Sequence, residues 1–188
     1  MFKLVEIRDV VRVDPRFLGK DVKEAIKQSL AESLEGEVDQ NVGAILAITD
    51  VKEFGEGEIR HGDAGVYFPV VYEALVYKPE NNEVTLGEVI EIAEFGAFIR
   101  IGAFDALCHI SQLMQDRVAY DRKNAIIVGR KTKRKLQEGD VVRCRITGVS
   151  MGKTRQRISL TMRQPFLGSL KWIEEEKRKL KEKEKKKK

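Results

Sequence analysis

Residues 87–98 constrain this chain more than any other stretch. Gly87-Glu88-Val89-Ile90-Glu91-Ile92-Ala93-Glu94 alternates apolar with polar at period two, the pattern of a half-buried strand. Phe95-Gly96-Ala97-Phe98-Ile99-Arg100-Ile101 follows at once as a second strand. Its interior glycine marks a bulge, a sharp bend or the close approach of another group. Small barrels need such bends.

Residues 105–110, 141–149 and 157–161 read as three further strands. Five short antiparallel strands in this length predict the partly open barrel of the OB fold. The span between Ile110 and Gly139 is longer than such a barrel needs. Within it, Ala125-Ile126-Ile127-Val128-Gly129 reads as an extra strand, half of an inserted hairpin at about 117–137.

Five ordered blocks carry a family resemblance: Gly87-Glu88-Val89, Phe95-Gly96-Ala97-Phe98, Leu107-x-His109-Ile110-Ser111, Gly139-Asp140-x-Val142 and Ile158-Ser159-Leu160-Thr161. Together they resemble the RNA-binding domain named after ribosomal protein S-one. The resemblance implies that Phe95, Phe98 and His109 lie on the barrel surface where single-stranded RNA stacks. Aromatic faces supply about 1–3 kcal/mol per stacked base whatever the sequence, so the chemistry agrees. Ser150 stands where that family commonly has an acid, and Ala106 where it commonly has glycine.

The net charge of +5 is unevenly spread. Residues 1–79 hold 10 Lys and Arg against 15 Asp and Glu, a net of −5; residues 80–163 hold 15 against 10, and 164–188 hold 10 against 5, each a net of +5. Residues 117–163 alone contain 14 basic and 3 acidic side chains, which favours a polyanion near the barrel. Arg100, Arg143, Arg145, Arg155 and Arg157, with Lys131 and Lys133 in the insertion, are the candidate phosphate contacts.

The N-terminal part reads differently. Residues 2–13 are rich in β-branched side chains and predict a long strand. Val22, Ile26, Leu30 and Leu34 recur every fourth residue with Ala25 between them, a helix whose apolar stripe faces a sheet and which Gly36 ends. Residues 42–54 and 66–77 are two more strands, joined through Gly55-x-Gly57 and the loop Gly62-Asp63-Ala64-Gly65. Strand, helix, then strands define an α+β domain, an antiparallel sheet with one helix on a face, similar to a truncated ribonucleoprotein fold. Domain limits are expected at 1–79 for this part, 80–173 for the barrel and 174–188 for a charged tail, frayed or disordered beyond Glu176, with Trp172 docked on the folded part.

Gly57-x-Ile59-x-His61-Gly62-Asp63, the run Tyr72-Glu73-Ala74-Leu75-Val76-Tyr77-Lys78-Pro79 and Leu160-Thr161-Met162-Arg163-Gln164-Pro165-Phe166-Leu167-Gly168 extend the resemblance to nearly the whole chain. The whole is similar to the family of stalk subunits of DNA-directed RNA polymerases, which includes the archaeal E-prime protein and the seventh subunit of eukaryotic RNA polymerase II. That resemblance implies docking on the polymerase core through the tip, with Ile59, His61, Gly62, Asp63, Ala64 and Gly65 as the contact. It also implies a heterodimer with a small helical stalk partner, and a barrel that meets emerging RNA. Ala64 replaces a glycine common at that tip.

Other function classes are disfavoured. Cys108 and Cys144 fall in separate strands without a C-x-x-C pattern, so buried reduced thiols are expected rather than zinc or a disulfide framework. No apolar run reaches the roughly 18 residues of a membrane span and no signal pattern opens the chain, so a soluble cytoplasmic protein without membrane contact or cofactor is expected. Metal-assisted or general-base hydrolysis of RNA needs convergent carboxylates or a positioned base, whereas the two histidines are scattered and the barrel acids unclustered. A general RNA-binding module of translation or RNA decay would keep the barrel but give the N-terminal half no role.

Overall fold

The computed structural model describes residues 1–19, 21–152 and 155–185, with side chains up to residue 181. It divides into two compact units, Met1–Lys78 and Pro79–Lys188.

The first unit runs β1 (Phe2–Val13), α1 (Val22–Leu34), β2 (Val38–Asp39), β3 (Gly43–Phe54), β4 (Glu58–Ile59) and β5 (Val66–Tyr77). The sheet order is β1-β5-β3-β2, with β4 also on β5, and every pairing is antiparallel. One face carries α1: Ala25, Ile26 and Leu30 are buried with Val11, Val13, Val51, Val70, Tyr72 and Val76. Val22, expected in that stripe, is 37% exposed, and Leu34 only half-buried. A four-residue repeat drifts about 40° per step on a helix of 3.6 residues per turn, so the middle of the stripe faces the sheet and its ends lie on the flanks.

Strand β3 departs from simple alternation. Its register against β5 slips between Ile45 and Ala47, Ile48 and Asp50, and Val51 and Glu53. Each slip is a bulge that spends an extra residue and turns the next side chain to the same face. Hence Ile45, Ile48 and Val51, three apart, are all buried. Strict alternation would put Ile45 and Ile48 on opposite faces.

The second unit contains β6 (Val84–Ala93), β7 (Gly96–Ile101), β8 (Phe104–His109), β9 (Val118–Asp121), β10 (Ile126–Gly129), β11 (Lys135–Leu136), β12 (Val141–Met151), β13 (Gln156–Thr161), β14 (Gly168–Ser169) and α2 (Leu170–Lys185). The order β13-β8-β7-β6-β12 closes through a β12–β13 pairing, which makes the five-stranded OB barrel expected from the sequence. Among the described residues of this unit only the β8–β13 pairing is parallel. Ile99, Ile101, Cys108, Cys144, Ile146 and Leu160 fill the interior. Both cysteines are free, and burial pushes each thiol up to about 12, so they are neutral apolar filling.

Two features of this unit correct the sequence reading. In the insertion β9 and β10 pair as a hairpin, and β11 adds a third strand that two residues are too few to announce in the sequence. The C-terminal segment, expected to fray, is helical through Lys185, and Trp172 in its first turn is buried against Gly168. Among the described residues no helix is long and apolar enough to cross a membrane.

Candidate functional site

The turn between β6 and β7 is shaped by close approach. A Cβ on Gly96 would stand 2.3 Å from the carbonyl oxygen of Cys108 and 3.1 Å from Cα of His109. Only glycine lets β7 start so tightly on β8. Gly96 registers with His109, and the Ile110 N–H donates to the Phe95 carbonyl at 2.8 Å, which fixes Phe95 and His109 side by side.

Phe95 sits in the turn itself and is 51% exposed, while Phe98, inside β7, is half-buried. Their ring centroids are 6.0 Å apart and the planes meet at 87°, an edge-to-face pair. The two faces expected for stacking therefore stand at right angles, with Phe98 buttressing Phe95. On His109 the Nδ1 atom lies 2.9 Å from the Ser111 hydroxyl, and the Ser111 backbone N–H points at it from 3.3 Å. A nitrogen that faces an N–H is an acceptor, which leaves Nε2–H as the outward donor.

Alternation carries the surface onward from the aromatic pair. Phe98 registers with Leu107, and Leu107 with Ser159 on β13. Arg157, two residues before Ser159 on the same face, is exposed, as is Arg155 just ahead of β13. Arg100 also points outward, but its guanidinium binds Asp105 at 2.9 Å. Ser150, the position where an acid was looked for, registers with Arg157.

Arg143 and Arg145 lie elsewhere. They register with Leu86 and Val84, at the end of β6 remote from Phe95, roughly 30–36 Å of extended chain away at about 3.3 Å per residue. Arg145 Nε is buried with no partner among the described residues. Lys131 and Lys133 are exposed on the loop between β10 and β11. Sequence placed all these cations on the barrel or its insertion; only strand register separates the near ones from the far ones.

At the tip of the first unit, the loop from Ile59 to Gly65 is held by one carboxylate. Asp63 accepts from Arg12 Nε at 2.7 Å and Nη2 at 2.6 Å, from the Tyr67 hydroxyl at 2.7 Å and from the Gly65 N–H at 2.9 Å. Arg60 lies over the Tyr67 ring, 3.9 Å from its centroid. These donors, Arg12 first, hold the Asp63 carboxyl well below the usual carboxylate range. Asp63 thus shapes the loop instead of presenting a free acid. Ile59, His61, Gly62 and Ala64 are exposed, and Ile59 is 76% exposed. Gly65 is buried beneath Arg12, whose side chain a Cβ there would meet at 2.8 Å. Arg12 and Tyr67 were not singled out from sequence: 51 residues separate Arg12 from Asp63, and neither sits in a motif.

A mixed α+β unit with a clipped tip loop, followed by a barrel with an outward aromatic pair and arginines, defines an RNA-binding protein of two modules. Residues 8–64 match the SHS2 domain found in the N terminus of Rpb7p/Rpc25p/MJ0397, and residues 78–163 match the S1 RNA binding domain. The chain is 38% identical to DNA-directed RNA polymerase subunit Rpo7 of Saccharolobus shibatae, over 95% of this chain and all of that one. It is 38% identical to the same subunit of Sulfolobus acidocaldarius over 94% and 97% of the two chains. With DNA-directed RNA polymerase II subunit 7 of Arabidopsis thaliana it shares 28% over 89% and 96%. This chain belongs to the Rpo7 family of DNA-directed RNA polymerase subunits.

Proposed function

We propose that this protein is a non-catalytic stalk subunit that works in the cytoplasm, docks on the polymerase core through its first unit and binds emerging single-stranded RNA with its barrel. The observation that carries this reading is the pairing of two differently built surfaces on one chain. The tip offers an exposed Ile59 on a loop made rigid by the Asp63 contacts, a shape suited to insertion into a pocket. The barrel offers Phe95, Phe98 and the His109 Nε2–H donor, with Arg157 and Arg155 beyond them, a surface suited to bases and phosphates. A small helical stalk partner completes a heterodimer in this reading. A translation or RNA-decay module would leave the tip without a use.

Capture of the tagged full-length chain from its source cells tests the proposal. Core polymerase subunits and one small helical protein should be recovered in equal amounts. Ribosomal proteins or exonuclease subunits in their place would refute it.

A further inference from the structure

We propose that the inserted sheet provides a second contact for single-stranded RNA, in a cleft between the β6–β7 turn and strand β9, where Tyr120 stacks a base and Arg122 and Arg130 hold phosphate. The inference deepens the reading of the barrel as an RNA surface and rests on it.

The cleft is lined by Glu94, Ile110, Ala119, Tyr120, Arg122 and Arg130. One wall is continuous with the aromatic platform, since Glu94 precedes Phe95, Ile110 follows His109, and Ile110 N–H is bound to the Phe95 carbonyl. Consecutive Cα atoms are about 3.8 Å apart, so a strand that touches Phe95 or His109 has the cleft as its next surface. The opposite wall is firm: β9 pairs with β10 over four residues, and the Arg130 N–H donates to the Arg117 carbonyl at 2.8 Å.

The chemistry of that wall is unspent. The Tyr120 hydroxyl and the Arg130 guanidinium have no partner among the described residues. Arg122 reaches across the cleft to Glu94 at 3.5 Å, with the two side chains 85% and 77% exposed. Such a pair is weak in water, and a phosphate would compete with Glu94 for the guanidinium. A tyrosine on a paired strand, with arginines just beyond the ends of β9 and β10, combines stacking with phosphate neutralisation, the two components of sequence-tolerant single-strand binding.

Four other cations of the insertion, Lys131, Lys133, Arg134 and Lys135, border different clefts. Arg134 binds Glu176 at 2.6 Å and lies over Trp172, while Lys133 and Lys135 border a different cleft with Asp140, Lys171 and Glu175. The β9 side, and not the loop at 131–135, therefore faces the platform.

The test is fluorescence anisotropy with the full-length chain and two RNA strands, of about four and about twelve nucleotides, lengths that bracket what an OB barrel covers. Tyr120→Ala and Arg130→Gln should each weaken the longer strand, Tyr120→Ala by about 5- to 150-fold, and leave the shorter one unchanged. Phe95→Ala should weaken both. Glu94→Gln should strengthen the longer strand, and that gain should vanish when Arg122→Gln is added. If the Tyr120 and Arg130 variants bind both strands like the parent while Phe95→Ala weakens both, the cleft is refuted and the platform stands. If Phe95→Ala is silent while the Tyr120 and Arg130 variants weaken the longer strand, the cleft stands and the platform reading falls. Should Tyr120→Ala disturb the insertion, Arg130→Gln, on an unpartnered side chain, decides alone.

Discussion

Arg12 grips Asp63 through two parallel hydrogen bonds of 2.7 and 2.6 Å, and so ties the end of β1 to the loop before β5. A bidentate pair adds geometry as well as attraction. Arg12→Ala, or Asp63→Asn, should release the loop that displays Ile59. Assembly with core polymerase should fall while RNA binding by the barrel is unchanged. Parallel loss of both in a folded protein would refute this division of labour.

The same clip has a pH signature. Because Arg12, Gly65 and Tyr67 depress the Asp63 carboxyl, its stabilising effect is complete above the ordinary carboxylate range and is lost only as pH falls through the lowered value. The Gly65 amide resonance should stay in place from neutral pH down through about pH 4, where free aspartates protonate. A shift centred at that ordinary value would show that the clip does not form in solution.

Gly96 and Gly148 offer a matched comparison. A methyl group on Gly96 would collide with the Cys108 carbonyl at 2.3 Å, whereas on Gly148 it would rest 3.9 Å from Ser159 Cβ. Gly96→Ala should cost about 1–3 kcal/mol through forced backbone shifts. Gly148→Ala should be neutral or slightly stabilising, since it removes freedom from the unfolded chain. Denaturant titrations compare them directly, and equal midpoints would contradict the close approach.

The edge-to-face contact between Phe95 and Phe98 makes their contributions interdependent. Phe95→Ala should weaken single-stranded RNA binding by roughly 1–3 kcal/mol with little change in stability, since the ring is half in solvent. Phe98→Ala removes the buttress as well as a surface, so the double variant should lose less than the sum of the singles. A double-mutant cycle with no coupling energy would mean that the rings act separately.

The long strands of the first unit were legible because twelve residues rich in β-branched and aromatic side chains, with no helical period, favour a strand, as in β1 and β5. The faces of β3 were not, because three bulges reset the alternation and nothing in Ala44-Ile45-Leu46-Ala47-Ile48 announces them. At two to four residues, β9, β11 and β14 are shorter than the pattern that would reveal them. At the barrel, Phe95, Phe98 and His109 could be nominated from local spacing, since a turn and one strand pairing join them. Arg143 and Arg157 both point outward by alternation, and only the register of β12 with β6 sends Arg143 to the far end.

Attachment of α2 depends on its first seven residues. Trp172 is 6% exposed, its ring so close to Gly168 that an added Cβ would stand 2.8 Å from Cε3. Arg134 lies 5.6 Å from the ring centroid and binds Glu176 at 2.6 Å, while Lys171 binds the buried Asp140 at 2.7 Å. After Glu176 the side chains through residue 181 are exposed. A lone 16-residue helix is marginal in water, and the i,i+4 spacing of Glu174 with Arg178 and of Glu175 with Lys179 can supply only a few tenths of a kcal/mol each. Trp172→Ala should therefore remove about 3–5 kcal/mol of packing and melt α2 as a unit, while the barrel keeps its own strands. Gly168→Ala should reproduce part of that loss by displacing the ring, with added strain at a φ of 109°. Far-UV circular dichroism would register the lost helix, and RNA binding would report the intact barrel. If the helical signal survives Trp172→Ala, the helix stands on its own charge pairs and the docking of Trp172 is not what holds it.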